Sequence, residues 1–308
     1  MGADSLSLAH SYAKDAQKAS KSSWLSKPQW DIAATNWDKA ANAYKSAMHY
    51  EEAVDSHIQA SEAYVKVNII FLAAKGYEEA ATLAERQLGD TSRAITYYTR
   101  ASDLYRSQGS SADRAASMMV KAATACSDID TPRTIQLYES AISIYETEDR
   151  MRFSIPTFKQ LAKFLIQKSR LSDAARVYER LGDVCVQLGN RPELAKSYLS
   201  AVVLVLAFGD GVEAGKKLDA FAQSVAFVRS NEGTVANAMV EAFEGGDQEG
   251  FDELARDQAV SFLDGAVSRL GLQIRVPGGR RAMPADSGDP ALPRADMPND
   301  IDDDDDLC

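Results

Sequence analysis

One pattern recurs at a fixed spacing in the middle of the sequence, and it constrains the fold more than any other feature. The segments AITYYTRASDLYRSQG, TIQLYESAISIYETED and AARVYERLGDVCVQLG align so that Tyr98, Tyr138 and Tyr178 lie 40 residues apart. The same spacing reaches upstream to a segment that begins at Ala53 and, more loosely, downstream to one that begins at Ala214. The chain therefore contains an internal repeat.

The small and aromatic residues of one repeat form a stripe. Ala94, Tyr98, Ala101 and Tyr105 follow one another at intervals of four, three and four, so on a helix they share one face. Such a stripe packs against neighbouring helices, and we interpret it as core rather than as a cofactor site.

A period near forty with two helices in each unit is typical of a helical solenoid. We therefore predict an all-α protein, a TPR-like right-handed α-solenoid of antiparallel helix pairs with a C-terminal helical bundle. Three domains are expected: the repeat superhelix at 1–228, a helical bundle or cap at 229–276, and a disordered acidic tail at 277–308. Thr131, directly before Pro132, is expected to cap a helix in the middle of the superhelix.

Charge is unevenly distributed. The net charge is −11, and residues 284–308 contain nine Asp and one Arg, a balance of −8 that leaves −3 for the rest. Phosphate binding needs a basic surplus, so we expect no nucleic-acid partner. The sequence has no apolar run long enough for a membrane span and no signal-peptide pattern at its N-terminus, which favours a cytoplasmic location.

The sequence shows no catalytic or metal-binding arrangement. The three histidines are scattered, and the three cysteines lack the spacing of a metal site or a redox pair. Phosphate-binding glycine loops are also absent. We therefore predict that the protein is not an enzyme and that it uses no cofactor or metal.

Two other groups of residues are candidates for binding. Lys159 and Lys163 are four apart, and Arg114 and Lys121 are seven apart, so each pair shares one face of a helix. Trp24 and Leu25 lie in a connection that is broken by Pro28. They either fold back to cap the first helix pair or form an exposed tip that contacts lipid or a partner.

The whole layout resembles the soluble NSF attachment protein family. In the N-terminal part, Lys27-Pro-Gln-Trp30-Asp-Ile-Ala-Ala34 and Ala40-Ala-Asn-Ala-Tyr-Lys-Ser-Ala47 are similar to the gamma branch of that family. Near the other end, Leu270-Gly-Leu-Gln-Ile-Arg-Val-Pro-Gly-Gly279 and the acidic tail ending in Leu307-Cys308 also look like gamma rather than alpha or beta.

The resemblance implies an adaptor. Family members bind SNARE complexes on a concave basic face and recruit a hexameric NSF-type AAA ATPase, which they stimulate to disassemble SNAREs in membrane fusion and vesicle transport, including ER–Golgi transport. The competing hypothesis is another TPR-like adaptor, such as a chaperone co-factor or a subunit of a scaffold complex. Peripheral association with membranes is expected in the first case.

The resemblance also implies sites, which we place by position. The ATPase-stimulating tail is expected at Leu307 with the acidic run before it: Asp302, Asp303, Asp304, Asp305 and Asp306. A membrane-contact loop is expected at Trp24 and Leu25. The SNARE-binding cations are expected among Lys159, Lys163, Arg114 and Lys121.

Overall fold

A computed structural model describes residues 2–22, 27–109 and 111–279. Within these ranges the chain forms helices and turns without any β-strand. The first ten helices are α1 Gly2–Ser20, α2 Trp30–Ser46, α3 Tyr50–Lys66, α4 Ile70–Arg86, α5 Thr91–Ser107, α6 Ala112–Cys126, α7 Thr131–Thr147, α8 Ile155–Gln167, α9 Leu171–Leu188 and α10 Arg191–Phe208. A 3-10 turn, Met151–Ser154, precedes α8.

Shorter helices follow in the C-terminal part. They are α11 Gly211–Phe221, α12 Val225–Val228, α13 Asn231–Glu244, α14 Gln248–Leu254, α15 Gln258–Ser261 and α16 Gly265–Gly271. The prediction of an all-α fold is confirmed. The division at residues 228 and 276 stays a prediction.

The helix starts reproduce the repeat that was found in the sequence. Helices α3, α5, α7 and α9 begin at Tyr50, Thr91, Thr131 and Leu171, 40 or 41 residues apart. Because most of the connections within the repeat are short, each helix packs against the next one in the chain as an antiparallel neighbour. The stacked pairs form the solenoid.

The tyrosine and alanine stripe is the core, as predicted. Tyr98, Tyr105 and Tyr178 are among the largest fully buried side chains. The hydroxyl of Tyr98 donates a hydrogen bond to Glu85 at 2.8 Å, and that of Tyr178 donates to Asp264 at 2.6 Å. Burial raises the pKa of Tyr98 to about 12, so the phenol remains a donor at neutral pH. Each ring thus fills the core while its hydroxyl reaches a carboxylate at the surface.

Polar side chains cap the starts of several helices, and at α7 the cap lies one residue before the one that was predicted. Asp90, Asp130 and Asn190 each accept a hydrogen bond from the backbone amide three residues later. Thr131, which was expected to be the cap of α7, is instead its first residue, and its hydroxyl is not the cap. The carboxylate of Asp130 accepts the hydrogen bond from the backbone amide of Arg133 at 3.0 Å and so acts as the N-cap.

Helix α10 differs from the helices before it because it is buried on several sides. Its residues 194–206 are almost all buried, with Leu199, Leu204 and Val203 fully enclosed. Helices α13 and α16 pack against it from the C-terminal side, while α9 covers the other side. A helix that is apolar all round needs such cover. In the part of the chain that the structure describes, no helix has the length and hydropathy of a membrane span.

An extended segment closes the C-terminal part. Ile274 and Val276 are buried, and the side chain of Gln248 holds the backbone between them. Its amide nitrogen donates to the Ile274 carbonyl at 3.3 Å, and its oxygen accepts from the Val276 amide at 2.9 Å. One glutamine therefore provides the hydrogen bonds that a neighbouring strand would otherwise provide.

Candidate partner-binding surface

Ion pairs show which helices lie side by side. Lys45 on α2 contacts Glu79 on α4 at 3.2 Å, and Glu78 on α4 contacts Lys121 on α6 at 2.7 Å. Lys168, directly after α8, contacts Asp128, which follows α6, at 3.6 Å. Helices α2, α4, α6 and α8 therefore share one side of the solenoid, which we call the even-helix face. On the opposite side, which we call the odd-helix face, Glu51–Arg93 links α3 with α5, Glu139–Arg180 links α7 with α9, and Glu179–Lys217 links α9 with α11.

All four cations that the sequence singled out lie on helices of the even-helix face. Arg114 and Lys121 belong to α6, and Lys159 and Lys163 belong to α8. The exposed guanidinium of Arg114 lies over the ring of Phe71, 5.1 Å from its centroid. Lys121 is engaged by Glu78 and remains partly exposed. The structure thus places the two predicted pairs on one side of the molecule.

Lys159 is held inside the fold. Its ammonium lies 2.7 Å from Glu193 on α10 and 3.7 Å from Asp264, and its side chain is only 31% exposed. Burial lowers the pKa of Lys159, but the hydrogen bond to Glu193 and the nearby carboxylates outweigh burial, so the pKa is raised overall. Asp264 also accepts a hydrogen bond from the hydroxyl of Tyr178. Lys159 therefore helps to fasten the C-terminal helices to the repeats.

Lys163 is different although it is only one turn away. Its side chain is exposed, and no carboxylate among the described residues forms an ion pair with it. Lys75 on α4 and Arg114 on α6 are likewise exposed and lack an acidic partner within the described ranges. These three cations on helices of the even-helix face are therefore available to an outside anion, as are the exposed Lys39 on α2 and Arg86 on α4.

A polar groove that the sequence did not predict lies between α2 and α4. It has a volume of about 220 Å³, and its walls carry Asp38, Lys45 and Lys75. The floor contains His57 of α3, whose side chain is 3% exposed and whose Nδ1 lies 3.8 Å from Asp38. Neither ring nitrogen has a hydrogen-bond partner among the described atoms. Burial lowers the pKa of His57, although Asp38 and Glu79 act in the opposite direction.

His57 received no role from the sequence because its neighbours come from other helices. Its partners lie on α2 and α4, so no local spacing around His57 marks the groove. In the described parts of the chain no group of three His, Cys, Asp or Glu side chains is placed to hold a metal ion.

Neither the predicted loop residues Trp24 and Leu25 nor the predicted tail, Asp302 to Leu307, lies within the described residues.

The sequence was then compared with known proteins. The family model described as "Soluble NSF attachment protein, SNAP" matches residues 7–264, from α1 to the residue before α16. The chain belongs to the soluble NSF attachment protein family. The match covers both the repeats and the C-terminal helices, and it confirms the resemblance that was drawn from the sequence.

Individual members of the soluble NSF attachment protein family are similar to this chain over different lengths. The gamma-soluble NSF attachment protein of Dictyostelium discoideum is 32% identical over 268 residues, 86% of this chain and 82% of the relative. The Arabidopsis thaliana gamma protein is 30% identical over 82% of this chain and 88% of its own length. The mouse alpha protein is 29% identical over 45% of this chain and 44% of its own. The similarity to the gamma branch extends along most of the chain.

Proposed function

We propose that this protein is an adaptor that binds SNARE complexes and recruits and stimulates an NSF-type AAA ATPase for SNARE disassembly in intracellular membrane fusion and vesicle transport. The observation that carries the proposal is the family match over residues 7–264. A repeat fold, which offers a long surface to an elongated partner, agrees with it. The alternative of an unrelated TPR-like adaptor has no comparable support.

The even-helix face is the surface that we assign to the SNARE bundle. Its exposed cations Lys75, Arg114 and Lys163 have no described acidic partner, so they can meet the acidic surface of a helical bundle. Lys121 and Lys159 would contribute less to binding because Glu78 and Glu193 already neutralise them. Attraction of this kind raises the association rate and weakens as salt screens it.

The test compares Lys163, which has no described acidic partner, with Lys159, which is paired with Glu193. Lys163→Glu should lower the affinity for a soluble SNARE bundle severalfold at low salt, with a smaller effect at high salt. Lys159→Glu should also lower the melting temperature, because it breaks the contacts with Glu193 and Asp264. Lys216→Glu, an exposed change on α11, is the matched control and should bind as the unchanged protein does. If Lys163→Glu and Lys216→Glu lose affinity for the SNARE bundle equally, the even-helix face is not its binding surface.

The ATPase-stimulating role is assigned to Leu307 with the acidic run Asp302 to Asp306. Burial of one leucine side chain contributes about 1.5–3 kcal/mol, enough to bias a partner's conformation but too little to hold a complex alone. Leu307→Ala should therefore leave SNARE binding nearly intact and reduce stimulation of ATP hydrolysis. Equal stimulation by the full chain and by a chain that ends after Ile301 would rule this role out.

The remaining assignments complete the proposal. We infer a cytoplasmic protein that associates peripherally with membranes through Trp24 and Leu25, has no catalytic activity and does not bind nucleic acid. If Trp24→Ser with Leu25→Ser leaves vesicle recruitment intact and instead lowers the melting temperature, the two residues cap the first helix pair. The three-domain division at residues 228 and 276 belongs to the same proposal, and limited proteolysis tests it.

A further inference from the structure

The turn between α3 and α4 exposes a cluster of apolar side chains. Val65, Ile69, Phe71 and Leu72 fall within eight residues, and each is 36–41% exposed. The turns at the opposite edge of the solenoid, which join even to odd helices, expose isolated apolar residues such as Met48 and Ile129. Apolar residues that are exposed as a group rather than singly indicate a contact surface.

The cluster continues along one edge of the solenoid. Because successive helices are antiparallel, α3 and α5 end at the same edge at which α2, α4 and α6 begin. There the ammonium of Lys66 lies 3.5 Å from the ring centroid of Trp30. The ring of Phe71 meets that of Tyr105 edge to face at 5.8 Å. The guanidinium of Arg114 lies near both rings, 5.1 Å from the centroid of Phe71 and 5.9 Å from that of Tyr105. We call this surface, formed by Trp30, Val65, Lys66, Ile69, Phe71, Leu72 and Arg114, the α3–α4 edge.

Positive charge accompanies the apolar side chains. Lys27, Lys66 and Arg114 are exposed on or beside the α3–α4 edge, and Lys75 follows one turn into α4. Of the acids within five residues of these cations, Glu78, Glu79 and Asp113 are paired with Lys121, Lys45 and Arg150. This leaves Asp31 and Glu62 as exposed acids without a described ion pair. The formal balance is therefore positive here, although the whole chain has a net charge of −11.

We propose that the α3–α4 edge docks on a membrane surface that contains anionic lipids. Apolar side chains at the tip of a helical turn can enter the boundary between headgroups and acyl chains while lysine and arginine contact the anionic headgroups. Trp30, partly exposed beside Lys66, adds an aromatic ring of the kind that is enriched at membrane interfaces. This inference goes beyond the proposed function because it assigns lipid contact to the second helix pair, independently of Trp24 and Leu25.

The test is sedimentation of the full chain with vesicles. The unchanged protein should bind vesicles of phosphatidylcholine with phosphatidylserine more tightly than vesicles of phosphatidylcholine alone, and salt should weaken the difference. Ile69→Ser with Leu72→Ser should reduce binding by about fivefold or more, since membrane affinity scales with buried apolar area. Both side chains are exposed, so the melting temperature should change little.

A matched control lies at the opposite edge. Met48→Ser with Ile129→Ser removes two side chains that are 75% and 68% exposed, and vesicle binding should remain unchanged. The proposal is overturned if the two double variants lose binding equally, if neither loses it, or if phosphatidylserine has no effect.

Capture of a soluble SNARE bundle without lipid separates this inference from the proposed function. Ile69→Ser with Leu72→Ser should leave that capture intact. Loss of capture together with normal vesicle binding would mean that the α3–α4 edge binds protein rather than lipid, and this result would overturn the lipid proposal. Failure of the unchanged chain to capture the bundle would count against the proposed function alone.

Discussion

The repeats from α3 to α9 bury their apolar side chains differently from α10 and the C-terminal helices α11 to α16 that pack around it. In the repeats each helix buries one stripe, and large tyrosines alternate with alanines that let the helices approach closely. In the C-terminal part α10 is surrounded, and Tyr198, Phe221 and Phe227 pack ring against ring, with Tyr198 and Phe221 stacked at 3.9 Å. The first arrangement can be extended by another pair, whereas the second closes the stack.

The largest expected effect sharpens this comparison. Leu204→Ala in α10 removes a fully buried side chain that is packed from two sides, and it should lower the free energy of unfolding by about 2–5 kcal/mol. Leu137→Ala in α7 is the matched change in the repeats, where the site retains some exposure. Urea unfolding followed by circular dichroism measures both. A larger cost for Leu137→Ala would show that the C-terminal part is not the better-packed region.

A smaller effect is expected at the boundary between the two regions. Gly182 on α9 faces the ring of Tyr198 on α10, and a Cβ atom there would lie 2.1 Å from that ring. Gly182→Ala should therefore destabilise the protein by about 1–3 kcal/mol, because the ring must move.

Gly189→Ala is the control for Gly182→Ala. It meets nothing within 4 Å, but its φ of 65° is unfavourable for alanine. If the near-ultraviolet spectrum of the tyrosines changes with Gly189→Ala and not with Gly182→Ala, the close approach of α9 and α10 at Gly182 is not what holds the ring.

The smallest expected effect is a pH dependence of the free energy of unfolding that comes from His57, in the repeats. Burial lowers the pKa of His57 below its ordinary value near 6.5, so the unfolded chain takes up a proton at a higher pH than the folded chain. Stability is therefore full above about pH 6.5 and falls as the pH drops through the window between the two pKa values, by at most about 1.4 kcal/mol per pH unit.

His57→Gln should remove this part of the pH dependence, as measured by urea unfolding at pH 7.5 and 5.5. His49→Gln is the control, because the ring of His49 is partly exposed and lies 3.2 Å from the carboxylate of Glu52. If the free energy of unfolding of His57→Gln differs between pH 7.5 and 5.5 as much as that of the unchanged protein, His57 is not the group that titrates.

The sequence predicted those features that repeat or that act locally. The spacing of Tyr98, Tyr138 and Tyr178 predicted the helical register, because a forty-residue period leaves room for two helices and two short turns. It missed the cap of α7 by one residue, since Asp130 and Thr131 are both good caps and only the backbone geometry distinguishes them.

The sequence could not predict which lysine of a pair is available. Lys159 and Lys163 share a helix face, yet only Lys159 meets Glu193 and Asp264, which come from distant parts of the chain. The groove above His57 was missed for the same reason, because its walls belong to two other helices. Tertiary neighbours of this kind leave no local pattern.

The ion pairs between alternate helices have a mechanical consequence. They bridge the gaps on both faces, for example from Lys45 to Glu79 on one side and from Glu51 to Arg93 on the other. An exposed pair of this kind contributes only about 0.2–1 kcal/mol, which is comparable with thermal energy. We therefore expect that bending the solenoid toward one face separates such pairs on the opposite face at little cost, and that the resistance of the repeats to bending falls as ionic strength rises.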